Sequence, residues 1–562
     1  VVSDRAVTAG TKVTMPVSLT EGSNKFRISF TPNSDYRPNE YSKLSSYETV
    51  TYEFTVTYKS VRRDQKTIYV APEGSAGAAG SKENPVDIYT AVKYAKAGQM
   101  IVLKGGVYNL TSTIKVERGI DGTKEQMIYL IADPSDSQRP VFDFNRACAG
   151  MIFAGDYWYC QGFDVTNTQD TQKGIQISGS NCVFDNIQAY HNGNTGIQVS
   201  RYLTTDERED WPSNDLILNC TSYGNADIGY EDADGFAAKL TVGDGIVFDG
   251  CISYNNADDG WDLFAKVETG SIGSVTIKNC VAYGNGYLED GTDAGNGNGF
   301  KMGGSSITGY HTLINSVAFG NKAKGIDSNS CPDIQVKQST SFNNESYNVA
   351  FYTNAGSKTD FGASGILSYR TNKLEQQEQL KLLQDEATIR TATNYFWNET
   401  QKESVNSESM VVKASWFVST ENPKITRNAN GTINMNGFLE LTAEAPEGIG
   451  ARMTGTPSAV FTVTADVVRE DDNNDDNNSG SSATPAVDWN EVSSSVQNKV
   501  TEITQNPAIA TVNMNMVCTG EVQVPQKVLN IIKGTNVTVA FHSGNGVALS
   551  ISGQDLKNKD LS

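Results

Sequence analysis

Short apolar runs dominate this chain, and their period is two residues rather than 3.6. Residues 48–58, ETVTYEFTVTY, alternate cleanly and put Val50, Tyr52, Phe54, Val56 and Tyr58 on one face of a strand. Strands also fit TIYVAPEGS (67–75) and QMIVLKGGVYNL (99–110). Between them NPVDIYTAVKYAKAG (84–98) predicts a helix, with Pro85 near its start and Gly98 past its end. A helix laid over the first strands would cover an open sheet edge.

Further along, the alternation becomes a repeat. The pattern small–aromatic–x–Asn ends at Asn192, Asn225, Asn256, Asn285, Asn321 and Asn344, at spacings between 23 and 36 residues. Cys220, Cys251 and Cys280 each stand five residues before an Asn. A second short strand follows every Asn: GIQV, GFAAK, GWDLF, GFKMG, GIDS and NVAF. Short strands at a long period with Gly-rich turns predict an all-β solenoid, a parallel β-helix. Its expected hand is right, from the chirality of parallel crossovers. Each coil stacks roughly 4.8 Å from the last, so buried Asn side chains can bond up and down a ladder. The uneven spacing places insertions between constant strands, above all 200–215 and 286–298, where a solenoid builds its binding walls.

The rest of the chain divides around this domain, set at 67–468. Residues 1–66 read as a β-sandwich module, and LTEGSNKFRISF resembles a strand of cadherin-like or immunoglobulin-like modules. KLEQQEQLKLLQDEATIR (373–390) is expected to be a helix outside the coil, and residues 415–453 to close the domain. Residues 469–487 form an acidic low-complexity linker. Residues 488–562 form a small accessory α+β domain beginning with a helix, DWNEVSSSVQNKVTEI.

Aligning the second strands on Gly196, Gly235, Gly260, Gly299, Gly325 and Asn348 gives chemistry to the pattern. The next column, Ile197, Phe236, Trp261, Phe300, Ile326 and Val349, is apolar and faces the core. The column after it alternates outward: Gln198, Ala237, Asp262, Lys301, Asp327 and Ala350. The column before the reference holds Thr195, Asp234, Asp259, Asn298, Lys324 and Tyr347. Asp234, Asp258, Asp259 and Asp262 are therefore expected to cluster on the surface, with Lys301 at the edge. Asp is rare in strands, and close carboxylates repel unless a cation sits among them. An all-oxygen donor set suits Ca²⁺, which takes about six to eight oxygens in irregular geometry. No His or Cys falls in the cluster, which disfavours zinc and copper.

Composition narrows the function. A net charge of −20 over 562 residues excludes an ordinary nucleic-acid binder. No apolar run is long enough to span a membrane. The first residues lack a signal-peptide pattern and read like the inside of a domain, so the chain is expected to be a piece of a longer protein. The eight cysteines show no metal spacing, and the periodic three are expected to pack in the core.

At DADGFAAK, NNADDGWDLF and NGNGFKMGG, in that order on successive coils, the chain resembles polysaccharide lyase family 9, the pectate-lyase-type parallel β-helix enzymes. YVAPEGS, KGGVYNL and FLELTAEAPEGIGAR also look like the family, and the resemblance covers roughly residues 67–455. It implies that Asp234, Asp258, Asp259 and Asp262 are calcium ligands and that Lys301 is the catalytic base. It implies β-elimination on an acidic plant cell-wall polysaccharide such as polygalacturonate, by a secreted or cell-surface bacterial enzyme, expected to act as a monomer. Lys239, Lys266 and Arg201 follow the relevant strands and are expected to add positive charge for the polyanion. Asp327, beside Lys301 in its column, is expected to hold the lysine's pKa up. Two rivals are a rhamnogalacturonan lyase on the same scaffold and a non-catalytic glycan-binding β-helix. A third, a polygalacturonase-like hydrolase, would use paired carboxylates and have no need of Lys301.

Overall fold

The computed structural model describes residues 22–31, 48–58, 63–354, 358–372, 377–428 and 431–453, a few positions nearer the N-terminus, and stretches within 512–556. The expected linker and the expected helix of residues 488–503 lie outside the described residues.

Residues 67–380 wind through three parallel sheets of eleven, ten and ten strands. The first turn supplies only Thr67–Val70, and each later coil contributes one strand to each sheet, as in Leu216–Leu218, Thr221–Tyr223 and Phe236–Ala238. The corner between the first and second sheets is a single left-handed residue: Asn186, Asn219, Gly250, Asn279, Asn315, Gln338 or Gly365, all with positive φ. Gly and Asn populate that conformation at least cost.

The four-residue repeat now has a physical reading, position by position. Ala189, Ser222, Ser253, Ala282, Ala318 and Ser341 are buried under the sheet, where only a small side chain fits. The aromatics point outward and stack: Tyr190 on Tyr223 at 5.0 Å, Tyr223 on Tyr254 at 4.7 Å, Tyr254 on Tyr283 and Tyr283 on Phe319 at 4.9 Å. The variable third residue is a second left-handed corner, as at His191, Gly224, Asn255, Gly284, Gly320 and Asn343. The Asn turns inward. Its Nδ2 donates to the Oδ1 of the next Asn, at 3.0 Å (Asn192 to Asn225), 2.8 Å (to Asn256), 3.0 Å (to Asn285), 2.9 Å (to Asn321) and 2.8 Å (to Asn344). Asn348 ends the ladder: it accepts from Asn344 at 3.0 Å and donates to Ser368 Oγ and Tyr369 O.

The core is the column of inward residues, with Ile197, Phe236, Trp261, Phe300, Ile326 and Val349 fully buried. The cysteines join it. Cys220, Cys251 and Cys280 are buried, and their thiols donate to backbone carbonyls such as Phe184 O and Ile217 O. A short helix, Ile88–Lys93, covers the first coil with Ile88, Ala91 and Val92, and the Asp87 side chain caps it by accepting from Thr90 N. It ends well before Gly98.

The expected helix over 373–390 does not form in its described part. Gln379–Leu380 is instead the last strand of the third sheet, paired with Ala350 and Phe351, and Glu386–Thr388 is a single 3-10 turn. The open edge left by Val349–Phe351 offers backbone partners that outweigh local helix propensity. Residues 395–453 pack on the outer face of the second sheet, where Phe438 meets Phe319 and Phe342 edge-on. Arg427 pins this segment by donating to Cys220 O at 2.6 Å and Gly250 O at 2.9 Å.

At the N-terminal end, Gly22–Phe30 and Val50–Tyr58 pair antiparallel. Near the C-terminus, Val512–Cys518, Val537–Ser543 and Ala548–Ser552 form one sheet, with a helix at Gln526–Ile532.

Candidate active site

The outward column of the third sheet forms the floor. Register runs Gln198, Ala237, Asp262, Lys301, Asp327, Ala350, each opposite the next. Asp262 and Lys301 are thus neighbours on adjacent coils, as their alignment predicts. Two residues before each strand, Asp234 and Asp259 are neighbours in the same way: Gly235 N bonds to Asp259 O.

Asp234, Asp259 and Asp262 bring one carboxylate oxygen each within 4.8 Å of the others. Two lysines thread between them. Lys239 Nζ lies 2.7 Å from Asp234 Oδ2 and 3.1 Å from Asp262 Oδ2. Lys301 Nζ lies 2.9 Å from Asp259 Oδ2 and 3.4 Å from Asp262 Oδ1. Three carboxylates against two ammonium groups leave a buried excess of negative charge. Asp234 Oδ1 is buried with no hydrogen-bond donor, and Asp259 Oδ2, though paired with Lys301, has no aligned one. Buried, under-satisfied carboxylate oxygens converging from adjacent coils fit a hard divalent cation.

Asp258 is buried beside this set but outside it. Its Oδ1 accepts from Asn296 N at 3.1 Å. Asn298 N and Nδ2 both reach Asp259 Oδ1 at 2.7 Å. The insertion 286–298 therefore orients two of the acids with its own last residues. Lys322 in turn holds that insertion through Ala294 O and Gly295 O. Across the sheet, the insertion 200–215 is braced by Arg118, which grips Asp206 with both Nη atoms at 3.1 and 2.8 Å.

The electrostatics follow from burial and pairing. Burial pushes the Asp234 carboxyl up to about 7 despite Lys239, and burial with Asp259 nearby pushes Asp258 up to about 9. Burial acts the same way on Asp262, but Lys301 and Lys239 outweigh it and hold it below the usual carboxylate range. Burial pulls Lys301 down, yet Asp259 and Asp262 outweigh it and hold the ammonium well above the usual lysine range.

Among the other sequence candidates, Lys239 is part of the cluster. Lys266 and Arg201 are not: Lys266 closes the turn at 266–270 with its backbone carbonyl, and Arg201 Nη1 bonds to Asp206 O at 3.4 Å. Asp327 departs from expectation. Its carboxylate pairs with Lys324 Nζ at 2.9 Å and accepts from Asn329 N, so its charge is met before it reaches Lys301. The bridging role of Lys239 and the Lys324–Asp327 pair are not visible in the columns, because both depend on where long side chains swing. A cavity of about 70 Å³ lined by Glu378, Asn394 and Trp397 lies at the last coil, away from the acids; Glu378 there caps Val349 N and Trp397 N.

Residues 68–360 match the family described as the Pel9A-like right-handed β-helix region. The chain belongs to polysaccharide lyase family 9. The match also gives the coil the expected right hand. Residues 1–50 match the central immunoglobulin-like domain of pectate disaccharide-lyase, in line with the β-sandwich reading of the N-terminus. Pectate lyase L of Thermoclostridium stercorarium is 41% identical over 372 residues, 66% of this chain but 29% of that protein. Pectate lyase L of Paenibacillus polymyxa is 40% identical over 403 residues, 70% of this chain and 84% of the relative. The crystal structure of pectate lyase Pel9A superposes with a TM-score of 0.54 at 28% identity, covering 71% of this chain and 94% of that one. No helix among the described residues is long and apolar enough to cross a membrane.

Proposed function

We propose that this family 9 β-helix is a calcium-dependent pectate lyase that cleaves polygalacturonate by β-elimination outside the cell. The observation that carries the reading is the Lys301 ammonium set between Asp259 and Asp262 on the floor of the third sheet. The pectate lyase relatives named above, 41% and 40% identical, support the substrate class.

Asp234, Asp259 and Asp262, with Asp258 beside them, would hold the calcium. Bound there, calcium supplies Lewis-acid neutralisation of the substrate carboxylate. Lys301 Nζ takes the proton from C5, α to that carboxylate. The C–H electron pair becomes the C4–C5 double bond, the C4–O bond breaks, and the leaving oxygen takes a proton from solvent. Lys301 is a base only after its pKa falls from about 10.4. Its two carboxylate partners hold its proton in the metal-free protein, and engaging them elsewhere releases it. Burial, which already pulls the pKa down, then meets less opposition. Lys324 keeps Asp327 from replacing the lost partners.

The test is ultraviolet absorbance of unsaturated uronate during incubation with polygalacturonate, with calcium and with a chelator. A calcium-dependent rise is expected. Reducing ends without absorbance would mean hydrolysis, and activity confined to rhamnogalacturonan would move the substrate to that polymer.

A further inference from the structure

The column that carries Asp234 and Asp259 continues one coil upstream of Thr195. Ile175 pairs with Ile197, and Gly174 N bonds to Thr195 O, so Lys173 stands opposite Thr195. From Lys173 onward the row reads Lys173, Thr195, Asp234, Asp259, Asn298, Lys324, Tyr347, with Lys173 two coils, or roughly 10 Å, from Asp234. The lysines around the acids are already committed: Lys239 to Asp234 and Asp262, Lys301 to Asp259 and Asp262, Lys324 to Asp327. Lys173 differs. It is partly buried, and among the described residues no carboxylate lies within ion-pair distance of its Nζ and no hydrogen bond engages it.

Burial and the neighbouring Lys239 charge both disfavour its ammonium, and Asp232 only partly offsets them. A desolvated cation beside a second cation is costly to a fold. An anion arriving from outside removes that cost.

We propose that Lys173 is a subsite for a uronate carboxylate of the substrate, upstream of the reacting residue. This rests on the reading of the domain as a lyase of an acidic polysaccharide. A uronan laid along the ladder presents a carboxylate on every sugar, and Lys173 is the uncommitted cation in line with the acids. It also sets direction: the downstream counterpart, Lys324, has its charge met by Asp327, so the row attracts anions on the Lys173 side.

The experiment compares wild type, Lys173→Met and Lys173→Arg by steady-state kinetics in calcium and by affinity electrophoresis in polygalacturonate with chelator. Lys173→Met is expected to raise KM and weaken chelator-resistant binding about tenfold, the scale of one charge-assisted hydrogen bond, at near-normal kcat. Lys173→Arg is expected to restore both to within about twofold. Unchanged binding and KM in Lys173→Met would overturn the proposal, as would a loss of thermal stability or kcat alone. If wild type binds polygalacturonate without forming unsaturated product, the lyase reading fails, while weaker binding by Lys173→Met still upholds the subsite. If wild type binds no polygalacturonate, both fail.

Discussion

Lys301 is held by the same carboxylates that are proposed to bind the metal, and that shared use makes single residues separable by experiment. Lys301→Met removes the base but leaves every acid in place. Elimination is expected to fall about 10²–10⁴-fold in kcat, with calcium binding by calorimetry retained. Lys239→Met removes a cation that occupies Asp234 and Asp262, so calcium is expected to bind more tightly while the metal-free protein melts lower. The acids also fix a pH dependence. Asp234 at about 7 and Asp258 at about 9 lie above their ordinary value of 3.8, so the folded metal-free protein binds more protons than the unfolded chain. Their contribution is fully present below that ordinary value and is lost as pH rises through 7 and then 9. Melting temperature in chelator should therefore fall from mildly acidic to alkaline pH, and calcium should flatten the fall. A flat profile in chelator would contradict the buried, under-compensated cluster.

At the scale of the element, the repeat is a set of four different demands on four consecutive residues. Asn256 is fully buried, accepts from Asn225 Nδ2 and donates to Asn285 Oδ1 and Ser253 Oγ. Asn256→Leu strands polar groups on both adjacent coils and is expected to cost about 3 kcal/mol in denaturant unfolding. The corner before the Asn asks only for a left-handed backbone. Gly320 has φ of +59° and open space where a Cβ would go. Gly320→Ala should cost about 1 kcal/mol, and Gly320→Asn less, since Asn255 and Asn343 already serve there. If Gly320→Asn cost as much as Gly320→Ala, something other than backbone conformation would govern the corner.

Across the whole molecule, a solenoid leaves its last coil and one sheet face exposed, and distant chain covers both. Gln379–Leu380 completes the third sheet, and residues 395–453 cover the second. Arg427 bridges more than 170 residues of sequence to reach Gly250 O and Cys220 O. Arg427→Met is expected to lower the melting temperature and to make 416–453 the first region cut in limited proteolysis, with the kcat of elimination nearly unchanged, because the acids sit on a different sheet. By itself the sequence determined what is periodic. In a β-helix, repeat register is spatial register, so Asp262 beside Lys301, Asp234 beside Asp259, the Asn ladder and the apolar core column were all legible from alignment. Lys173 was legible by the same rule, one coil further upstream, in KGIQI. Tertiary structure alone decided what is not periodic: that Lys239 bridges two acids, that Lys324 answers Asp327, that the insertion 286–298 returns its backbone to Asp258 and Asp259, and that a helix-prone segment becomes a strand. Those outcomes turn on the reach of long side chains and on the pull of an open sheet edge, and neither leaves a repeat in the sequence.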